Sequence, residues 1–245
     1  MRSDAALIKE QIMIAPDIMR MELETEIAAD THCGQFVQIL VPGYFLRRPI
    51  SVSQVRDDHH ISLIYRIAGD GTCVLSKLQA GEKLDIFGPL GHGFPVVDED
   101  VVLIGGGVGI PPLIETAKQH IMKGHHVTAV LGFASENQIF AKEELESLKA
   151  EVIIATMDGS CGVKGTVMDA IQKHGISKEQ TAMACGPLGM LRAVGAYFEH
   201  GYVSLEERMA CGIGACMGCV AKTPEGDTVR VCKDGPVFEI GKVVL

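Results

Sequence analysis

Four cysteines near the C-terminus constrain this 245-residue chain more than any other feature of its sequence. Cys211, Cys216, Cys219 and Cys232 form a C-x4-C-x2-C-x12-C array, and glycines lie between the first three cysteines. Four thiolates in this order are typical of the ligands of a plant-type [2Fe–2S] cluster. A short loop with three ligands needs close backbone approach and positive φ angles, which glycine adopts readily. The array therefore predicts a [2Fe–2S] cluster ligated by these four cysteines.

Two other interpretations of the array remain open as weaker alternatives. A zinc site usually contains two C-x2-C or C-x2-H pairs, whereas only Cys216 and Cys219 have that spacing. A disulfide framework requires an oxidising compartment. Residues 1–17 lack a charged-then-apolar signal segment, which weighs against disulfides. Free thiols together with the expected cluster predict the reducing cytosol as the location. The remaining cysteines are scattered singly, and most are better explained as core residues: Cys33, Cys73, Cys161 and Cys185.

The composition limits the possible partners. Lysine and arginine number 22 against 31 acidic residues, which gives a formal charge of −9. Arg47-Arg48 is the only basic cluster, and we therefore expect no nucleic-acid partner. No apolar run approaches the ~20 residues of a membrane-spanning helix, and so no membrane partner is expected either. The length allows two modest domains and a short appendage.

Residues 1–97 predict an antiparallel β-barrel domain. Short alternating segments are separated by glycine and proline turns, a pattern typical of small barrels. The alternating segments are Ile18–Leu23, Phe36–Val41 and Ile61–Ile67. A short helix is predicted over Thr72–Leu78, with Thr72 as its N-cap.

Residues 98–203 predict an α/β domain with a parallel sheet, because apolar runs alternate with amphipathic segments. The predicted strands are Val101–Ile104, Val127–Leu131, Val152–Thr156 and Thr181–Ala184. The predicted helices are Pro111–Lys123, Lys142–Lys149, Val167–His174 and a last one that ends at His200. Residues 204–245 form the cysteine-bearing segment.

A glycine-rich turn follows the first strand of the α/β domain. A turn between a strand and a helix presents amide groups and a helix dipole to phosphate. The segment Gly105–Ile110 departs from G-x-G-x-x-G at its last position and instead fits G-x-G-x-G-x-x-P, which ends at Pro112. A tight packing turn is the alternative. If the turn binds a dinucleotide, a Cβ at Gly107 or Gly109 would meet the pyrophosphate.

Three motifs together resemble the ferredoxin–NADP reductase superfamily. They are Arg48-Pro49-Ile50-Ser51, the glycine-rich turn and Cys185-Gly186-Pro187. In that superfamily the arginine pairs with the flavin pyrophosphate and the serine lies at the redox-active edge of the flavin. The C-G-P element lies beside the nicotinamide. Ile50 stands where the superfamily usually has tyrosine, so this chain has no aromatic ring to stack on the flavin at that position.

The resemblance implies a set of site residues. Those for FAD are Arg48, Pro49, Ile50, Ser51, Ile64, Tyr65, Arg66, Gly71 and Thr72. Those for the nicotinamide dinucleotide are Gly105, Gly107, Gly109 and Pro112. Ser51 and Cys185 are the implied catalytic residues.

The chain as a whole resembles the electron-transfer subunits of NAD-dependent dihydroorotate dehydrogenases. The most diagnostic stretches are Leu46–Ser51, Gly105–Pro112, Ser204–Cys216 and Val231–Phe238. This resemblance implies a relay through [2Fe–2S] and FAD to NAD+ in pyrimidine biosynthesis. It also implies a partner, an FMN-containing catalytic subunit that oxidises dihydroorotate, in a heterotetramer of two subunits of each kind.

The choice of nicotinamide dinucleotide depends on residues 132–141, which contain no lysine or arginine to hold a 2′-phosphate. Glu136 would repel that phosphate, and this favours NAD. Two alternatives for the function stay open. The first is a reductase subunit of a sulfhydrogenase or a ferredoxin:NADP oxidoreductase, and the second is a zinc-stapled binding module.

Overall fold

The computed structural model describes every residue from Met1 to Leu245. Six strands form the N-terminal part: β1 (Arg2–Ala15), β2 (Ile18–Glu24), β3 (Phe36–Ile39), β4 (Arg48–Asp57), β5 (His60–Arg66) and β6 (Lys83–Leu90). They close into a barrel in the order β1-β2-β5-β4-β3-β6, and every pairing is antiparallel. Closure leaves no free sheet edge.

Alternation along the strands decides which side chains fill the barrel. On β5, Ile61, Leu63 and Tyr65 lie in the barrel core, whereas Ile64 packs outside it with residues of the α/β domain. The period of two in a strand produces this division. The outer face of the barrel is therefore the surface available to the other parts of the chain.

The second sheet has helices on both faces. Its strands from the middle of the chain are β7 (Val101–Gly106), β8 (Val127–Phe133), β9 (Glu151–Thr156), β10 (Val163–Lys164), β11 (Thr181–Cys185) and β12 (Gly201–Ser204). The helices that cover it are α2 (Pro111–Met122), α3 (Lys142–Ser147), α4 (Val167–Lys173) and α5 (Leu188–Tyr197). The order is β10-β9-β8-β7-β11-β12, all parallel. The apolar run of β7 packs on both sides, which explains why it does not alternate.

The C-terminal segment is integrated with both domains. It contains β13 (Val220–Lys222), β14 (Thr228–Arg230), α6 (Val231–Asp234) and β15 (Val237–Glu239). Strand β15 pairs antiparallel with β12 and so adds an edge strand to the parallel sheet. Phe36 and Leu90 of the barrel share a core with Cys219, Cys232 and Phe238 of this segment.

A buried carboxylate joins the barrel to the α/β domain. Glu115 on α2 is 1% exposed, and its Oε2 accepts a hydrogen bond from the backbone N–H of Val55 on β4 at 2.9 Å. Lys118 pairs with the same carboxylate at 3.3 Å and donates to the carbonyl of Val55. Because the charge is paired and hydrogen-bonded, its burial is tolerated. This contact fixes the barrel relative to the α/β domain.

The structure confirms the predicted fold class of a barrel, a parallel α/β lobe and a cysteine segment. The prediction for Thr72 is wrong in detail. The short helix α1 spans Asp70–Leu75 with Gly69 as N-cap, and Thr72 lies at the third helical position. Its hydroxyl instead accepts hydrogen bonds from the backbone N–H groups of Ala68 and Gly69. No helix of the structure is both long and apolar enough to cross a membrane.

Candidate functional site

Three cysteines of the array lie on one loop, and the fourth, Cys232, lies on α6. Cys211 is half-buried and Cys216 is exposed, whereas Cys219 and Cys232 are 2% and 1% exposed. The short hairpin of β13 and β14 spans the twelve residues between Cys219 and Cys232 and returns the chain to the loop. The array is therefore a surface loop with its inner half anchored in the core.

Backbone amides of the loop point at the cysteine sulfurs. The N–H of Gly214 donates to Sγ of Cys232 at 3.1 Å, and the N–H of Ala215 donates to Sγ of Cys211 at 3.3 Å. The N–H of Cys232 donates to Sγ of Cys219 at 3.3 Å. Such donors stabilise thiolates, the form that ligates iron.

The pKa of the Cys211 thiol shows the effect of these amides. Burial acts to raise this pKa, but hydrogen bonds from the backbone of Ile213, Cys216 and Ala215 outweigh burial and lower it to about 6. In contrast, burial and the adjacent Cys219 thiol raise the pKa of Cys232 to about 12. The thiols thus lie in two neighbouring pairs, Cys211 with Cys216 and Cys219 with Cys232.

The four thiols are the donor set that a two-iron cluster requires. Two pairs of thiols, each with amide donors, match a cluster in which two thiolates bind each of two irons.

Two glycines let the loop approach its neighbours. Gly212 and Gly214 have φ angles of +71° and +78°, and a Cβ at Gly212 would lie 2.8 Å from Nε2 of Gln38 on β3. Met217 also adopts a positive φ of +57°, which its residue type gave no reason to expect. The loop therefore lies directly on the outer face of the barrel.

Arg48 occupies a position suited to an anion. It is half-buried at the start of β4, and a Cβ at Gly71 would lie 2.5 Å from its Nε atom. The guanidinium lies 4.8 Å from the ring centroid of Tyr44 and donates to the carbonyl of Leu46 at 2.6 Å. In contrast, the neighbouring Arg47 is bound by both carboxylate oxygens of Asp85 at 2.9 Å. Arg48 has no such carboxylate partner and retains donors for a phosphate group.

The other predicted flavin residues divide between two faces of the barrel wall. Pro49, Ile50 and Ser51 follow Arg48 on β4 and are half-buried. Arg66, at the end of β5, is exposed and lines a cleft between the barrel and the α/β domain. Pro49 and Ser51 lie opposite the outward-facing Gln38 and Phe36, whereas Ile50 packs against the barrel core.

Two predicted flavin side chains are unavailable there. Tyr65 is 2% exposed inside the barrel, where its hydroxyl donates to Oε1 of Gln11 at 3.0 Å, and burial raises its pKa. Ile64 is buried against residues of the α/β domain. Neither side chain lines the cleft. Both residues do lie on a strand, as the sequence pattern predicted.

The cleft between the two domains has a volume of about 810 Å³. It opens at the carboxyl ends of the parallel strands, the edge at which α/β sheets bind nucleotides. Its walls include Asp17 and Arg66 from the barrel side, and Gly107, Pro187 and Glu206 from the α/β side. Glu206 keeps accessible surface, yet the walls of the cleft enclose it and this burial raises its pKa. The sequence motifs predicted Arg66 and Gly107 but gave no role to Asp17 or Glu206.

The three glycines of the turn differ in what surrounds them. Gly107 has a φ of +51° and faces open space in the cleft, which is consistent with close approach of a ligand. A Cβ at Gly109 would lie 2.3 Å from the carbonyl oxygen of Cys185, and one at Gly105 would lie 2.6 Å from Cγ1 of Ile110. A side chain at Gly109 would therefore meet the backbone of Cys185 whether or not a dinucleotide is bound. Pro112 is buried in the first turn of α2.

The two predicted catalytic residues do not line the cleft. Cys185 is 3% exposed beneath it, and burial together with the Glu206 carboxylate raises its pKa to about 12. The thiol is therefore neutral at physiological pH and serves as part of the floor. Ser51 is half-buried on β4, opposite Phe36 in the barrel.

Known proteins share the folded parts that form these sites. Residues 206–244 match the family model described as the iron-sulfur cluster binding domain of dihydroorotate dehydrogenase B. Residues 103–195 match the family model described as an oxidoreductase NAD-binding domain. Together with the barrel they define an iron–sulfur oxidoreductase of ferredoxin–NADP reductase architecture.

Similar curated proteins identify the family. A Streptococcus pneumoniae R6 protein is 43% identical over 100% of this chain and 99% of its own length. A Fusobacterium nucleatum protein is 39% identical over 97% of each chain. Both are named dihydroorotate dehydrogenase B (NAD(+)), electron transfer subunit. The chain belongs to this family of electron transfer subunits.

Solved structures extend the similarity to the whole fold. A chain of an NADH-dependent reduced ferredoxin–NADP oxidoreductase, described in connection with flavin-based electron bifurcation, has a TM-score of 0.89. It is 27% identical and covers 98% of this chain and 90% of its own. The Amycolatopsis cytochrome P450 reductase GcoB has a TM-score of 0.72 at 25% identity, over 81% of this chain and 66% of its own.

These matches confirm the predicted class and cofactors. The chain is an electron-transfer oxidoreductase subunit that uses FAD, a [2Fe–2S] cluster and NAD. The match of the C-terminal segment to an iron–sulfur domain sets aside the zinc and disulfide interpretations of the cysteine array.

Proposed function

We propose that this chain relays electrons from an FMN-containing, dihydroorotate-oxidising subunit through its [2Fe–2S] cluster and FAD to NAD+. The net reaction of the complex oxidises dihydroorotate to orotate and reduces NAD+ to NADH with release of one proton. It serves de novo pyrimidine synthesis. A flavin belongs between the other two carriers, because it exchanges a hydride with nicotinamide and single electrons with a cluster.

One observation carries this proposal: the cluster loop rests on the strand beside the flavin element. Gly212 of the loop contacts Gln38 on β3, and Gln38 lies directly opposite Pro49 of the Arg48–Ser51 element on β4. Residues opposite each other on paired strands have Cα atoms about 4.5–5.5 Å apart. The chain therefore provides a short path from the cluster segment to the flavin element.

Residues of the barrel would hold FAD. Arg48 would bind the pyrophosphate with the donors that no carboxylate occupies, and Gly71 leaves the space beside its guanidinium free. Pro49 and Ser51 continue along the outward face of β4, where the isoalloxazine would lie, and Ile50 between them packs against the barrel core. Arg66 would approach it from the mouth of the cleft.

The α/β side of the cleft would hold the nicotinamide dinucleotide. The turn at Gly107 offers open space and backbone amides for the pyrophosphate, and Pro187 borders the same cleft. The absence of lysine and arginine from residues 132–141 supports NAD over NADP. The neutral Cys185 thiol beneath the turn would keep the floor of the nicotinamide site uncharged.

The partner would contact the cluster loop. Ile213 and Met217 are 41% and 52% exposed beside the cysteines, and an uncharged rim of this kind suits a protein interface. The chain shows no paired base and carboxylate-binding cluster for orotate, which supports dihydroorotate chemistry on the partner. We propose a cytosolic heterotetramer with two copies of each subunit.

Reconstitution tests this division of labour. The isolated chain should pass electrons from NADH to an artificial dye but should not oxidise dihydroorotate with NAD+. Addition of the FMN subunit should restore dihydroorotate-dependent NAD+ reduction. Oxidation of dihydroorotate by the isolated chain would contradict the proposal.

A charge on the rim tests the interface. Met217→Glu should weaken coupling to the FMN subunit while NADH-dependent dye reduction and iron content stay normal. Met122→Glu is the matched control, because Met122 is 72% exposed at the end of α2 on the other domain. Equal dihydroorotate-dependent NAD+ reduction in both variants would contradict the placement of Met217 at the interface.

A second function deserves a test because of one structural match. The similar ferredoxin–NADP oxidoreductase chain covers nearly this whole chain, and a different redox partner would suit the same cofactors. Copurification with an FMN-containing dihydroorotate-oxidising protein supports the proposed function. Reduction of NAD(P)+ by reduced ferredoxin, without any response to dihydroorotate, would support the alternative.

A further inference from the structure

Gln38 is a buried polar residue without a partner. It is 0% exposed on β3, and neither Nε2 nor Oε1 of its side-chain amide makes a hydrogen bond. Buried amides nearly always find partners, and an orphaned one calls for a functional explanation. The carbonyl of Gln38 is satisfied: it accepts a hydrogen bond from the guanidinium of Arg47 at 3.4 Å.

The strand directs this side chain away from the barrel core. Val37 and Ile39, on either side of Gln38, lie in the barrel interior, so that Gln38 faces outward with Phe36. On that outer side it meets the cluster loop, where Nε2 lies 2.8 Å from the position that a Cβ of Gly212 would take. The side chain of Leu90 borders the same position at 3.1 Å. The orphaned amide is thus enclosed between the barrel wall and the residue that follows Cys211.

The surroundings offer this amide no conventional acceptor. Gly212 has no side chain, and Leu90 and Phe36 are apolar. What the family places next to Gly212 is an iron–sulfur cluster, whose thiolate and sulfide atoms are negatively charged acceptors. An N–H group that donates to an anionic acceptor makes a stronger hydrogen bond than one between neutral groups.

We propose that the side-chain amide of Gln38 donates a hydrogen bond to a sulfur of the [2Fe–2S] cluster and so raises its reduction potential. A donor stabilises the reduced cluster more than the oxidised one, because reduction adds negative charge. Gly212 is required in this arrangement because any side chain would occupy the place of the Gln38 amide. Gln38 is thus a positioning and tuning residue contributed by the flavin domain to the cluster.

The location of Gln38 links the cluster to the flavin element as well. Its strand neighbour is Pro49, which lies between Arg48 and Ile50. A residue that touches the cluster loop and borders the flavin element places the two redox groups in fixed register. This inference rests on the proposed ligation by the four cysteines and adds a residue outside their segment.

The first experiment compares Gln38→Leu with Gln54→Leu. Gln54 is 4% exposed on β4, and its Oε1 also lacks a partner, which makes it a matched buried glutamine. An EPR-monitored redox titration of the purified protein should show about a tenfold loss in the equilibrium constant for cluster reduction in Gln38→Leu. That loss is a fall of about 59 mV for a one-electron couple. The Gln54→Leu variant should keep the potential of the unaltered protein.

The second experiment makes its main measurement on the protein without substitutions. Pulsed EPR of the reduced protein with 15N-labelled glutamine side chains should show hyperfine coupling from one amide nitrogen. The signal should vanish in Gln38→Leu and persist in Gln54→Leu. If Gln38→Leu does not retain its cluster, the presence or absence of the nitrogen coupling in the unaltered protein tests the proposed hydrogen bond.

The outcomes separate the two proposals. A protein that contains no two-iron EPR signal would contradict the ligation by the four cysteines. A normal two-iron signal with no glutamine coupling, or an unchanged potential in a Gln38→Leu variant with full iron content, would overturn the role of Gln38 alone.

Discussion

Two glycine-rich loops of this chain look alike in sequence and differ in how they are held. In the cluster loop, Gly212 and Gly214 adopt left-handed φ angles, and the loop amides donate to cysteine sulfurs. In the nucleotide turn only Gly107 has a left-handed φ, whereas a Cβ at Gly105 or Gly109 would collide with Ile110 or Cys185. The turn is therefore held by the protein core alone, whereas the loop, whose inner half is anchored in the core, is also held by hydrogen bonds to sulfur.

The difference has a physical consequence for each loop. Contacts between backbone and core persist whether or not a ligand is bound. Hydrogen bonds to sulfur depend on the thiolates, and these are fixed in place by iron. The cluster loop should therefore lose its conformation with its metal, while the nucleotide turn should keep its own without NAD.

Loss of one cysteine ligand should have the largest effect. We expect Cys216→Ser to abolish the two-iron EPR signal, because a thiolate ligand is lost. The barrel and the α/β domain should stay folded and still bind FAD, since their cores do not involve the exposed Cys216. Iron content, EPR and flavin absorbance measure these outcomes.

Cysteines outside the array provide the control. Cys73→Ser and Cys161→Ser should each retain about two iron atoms per chain. Both residues are half-buried and lie outside the cluster segment. A normal EPR signal in Cys216→Ser would remove Cys216 from the ligand set.

Substitutions in the nucleotide turn should separate packing from binding. Gly109→Val places atoms against the Cys185 carbonyl, and we expect a loss of about 3 kcal/mol in the free energy of unfolding. Gly107→Ala meets no neighbouring atom but strains the left-handed backbone, at a cost of about 1–2 kcal/mol. In Gly107→Ala the loss of NADH binding free energy should exceed the loss in the free energy of unfolding. Urea unfolding and NADH titration distinguish these effects, and equal unfolding free energies in both variants would contradict the packing role of Gly109.

Removal of Arg48 should weaken cofactor binding without harm to the loop or the turn. Arg48→Ala removes a charge-assisted contact of about 1.5–3 kcal/mol, so FAD affinity should fall by about one to two decades. Arg56→Ala is the control, because Arg56 is paired with the carboxylates of Glu22 and Glu144 and its loss should leave FAD affinity unchanged. The cofactor released from the unaltered protein should be FAD. Release of FMN alone would contradict pyrophosphate recognition by Arg48, since FMN has no pyrophosphate.

The sequence predicted what depends on local pattern. Spacing alone identified the four cysteines, and apolar runs predicted the parallel strands within a few residues, as with Val101–Ile104 against the observed Val101–Gly106. The glycine-rich turn and Arg48 were found from motifs. Each of these signals lies within a few consecutive residues.

What the sequence missed depends on contacts between distant segments. Tyr65 was assigned to the flavin, but the strand parity of β5 turns its side chain into the barrel. Gln38 and Gly212 are far apart in the chain, and nothing local indicates that they touch. The pairing of β15 with β12 likewise arises only when the C-terminal segment folds back on the sheet.

The smallest expected effect is an acid sensitivity that comes from a buried histidine of the α/β domain, whereas the segment 204–245 contains no histidine. His120 on α2 is 0% exposed, and burial lowers its pKa from 6.5 although its Nδ1 pairs with the carbonyl of Thr116 at 2.8 Å. Since the folded-state pKa is lowered, the unfolded chain takes up a proton first as the pH falls below 6.5. Stability is then complete above pH 6.5 and decreases below it, by at most about 1.4 kcal/mol per pH unit for one proton. Urea unfolding between pH 7.5 and 5.5 should show a smaller decrease for His120→Leu, and an identical pH dependence in both proteins would exclude His120 as its source.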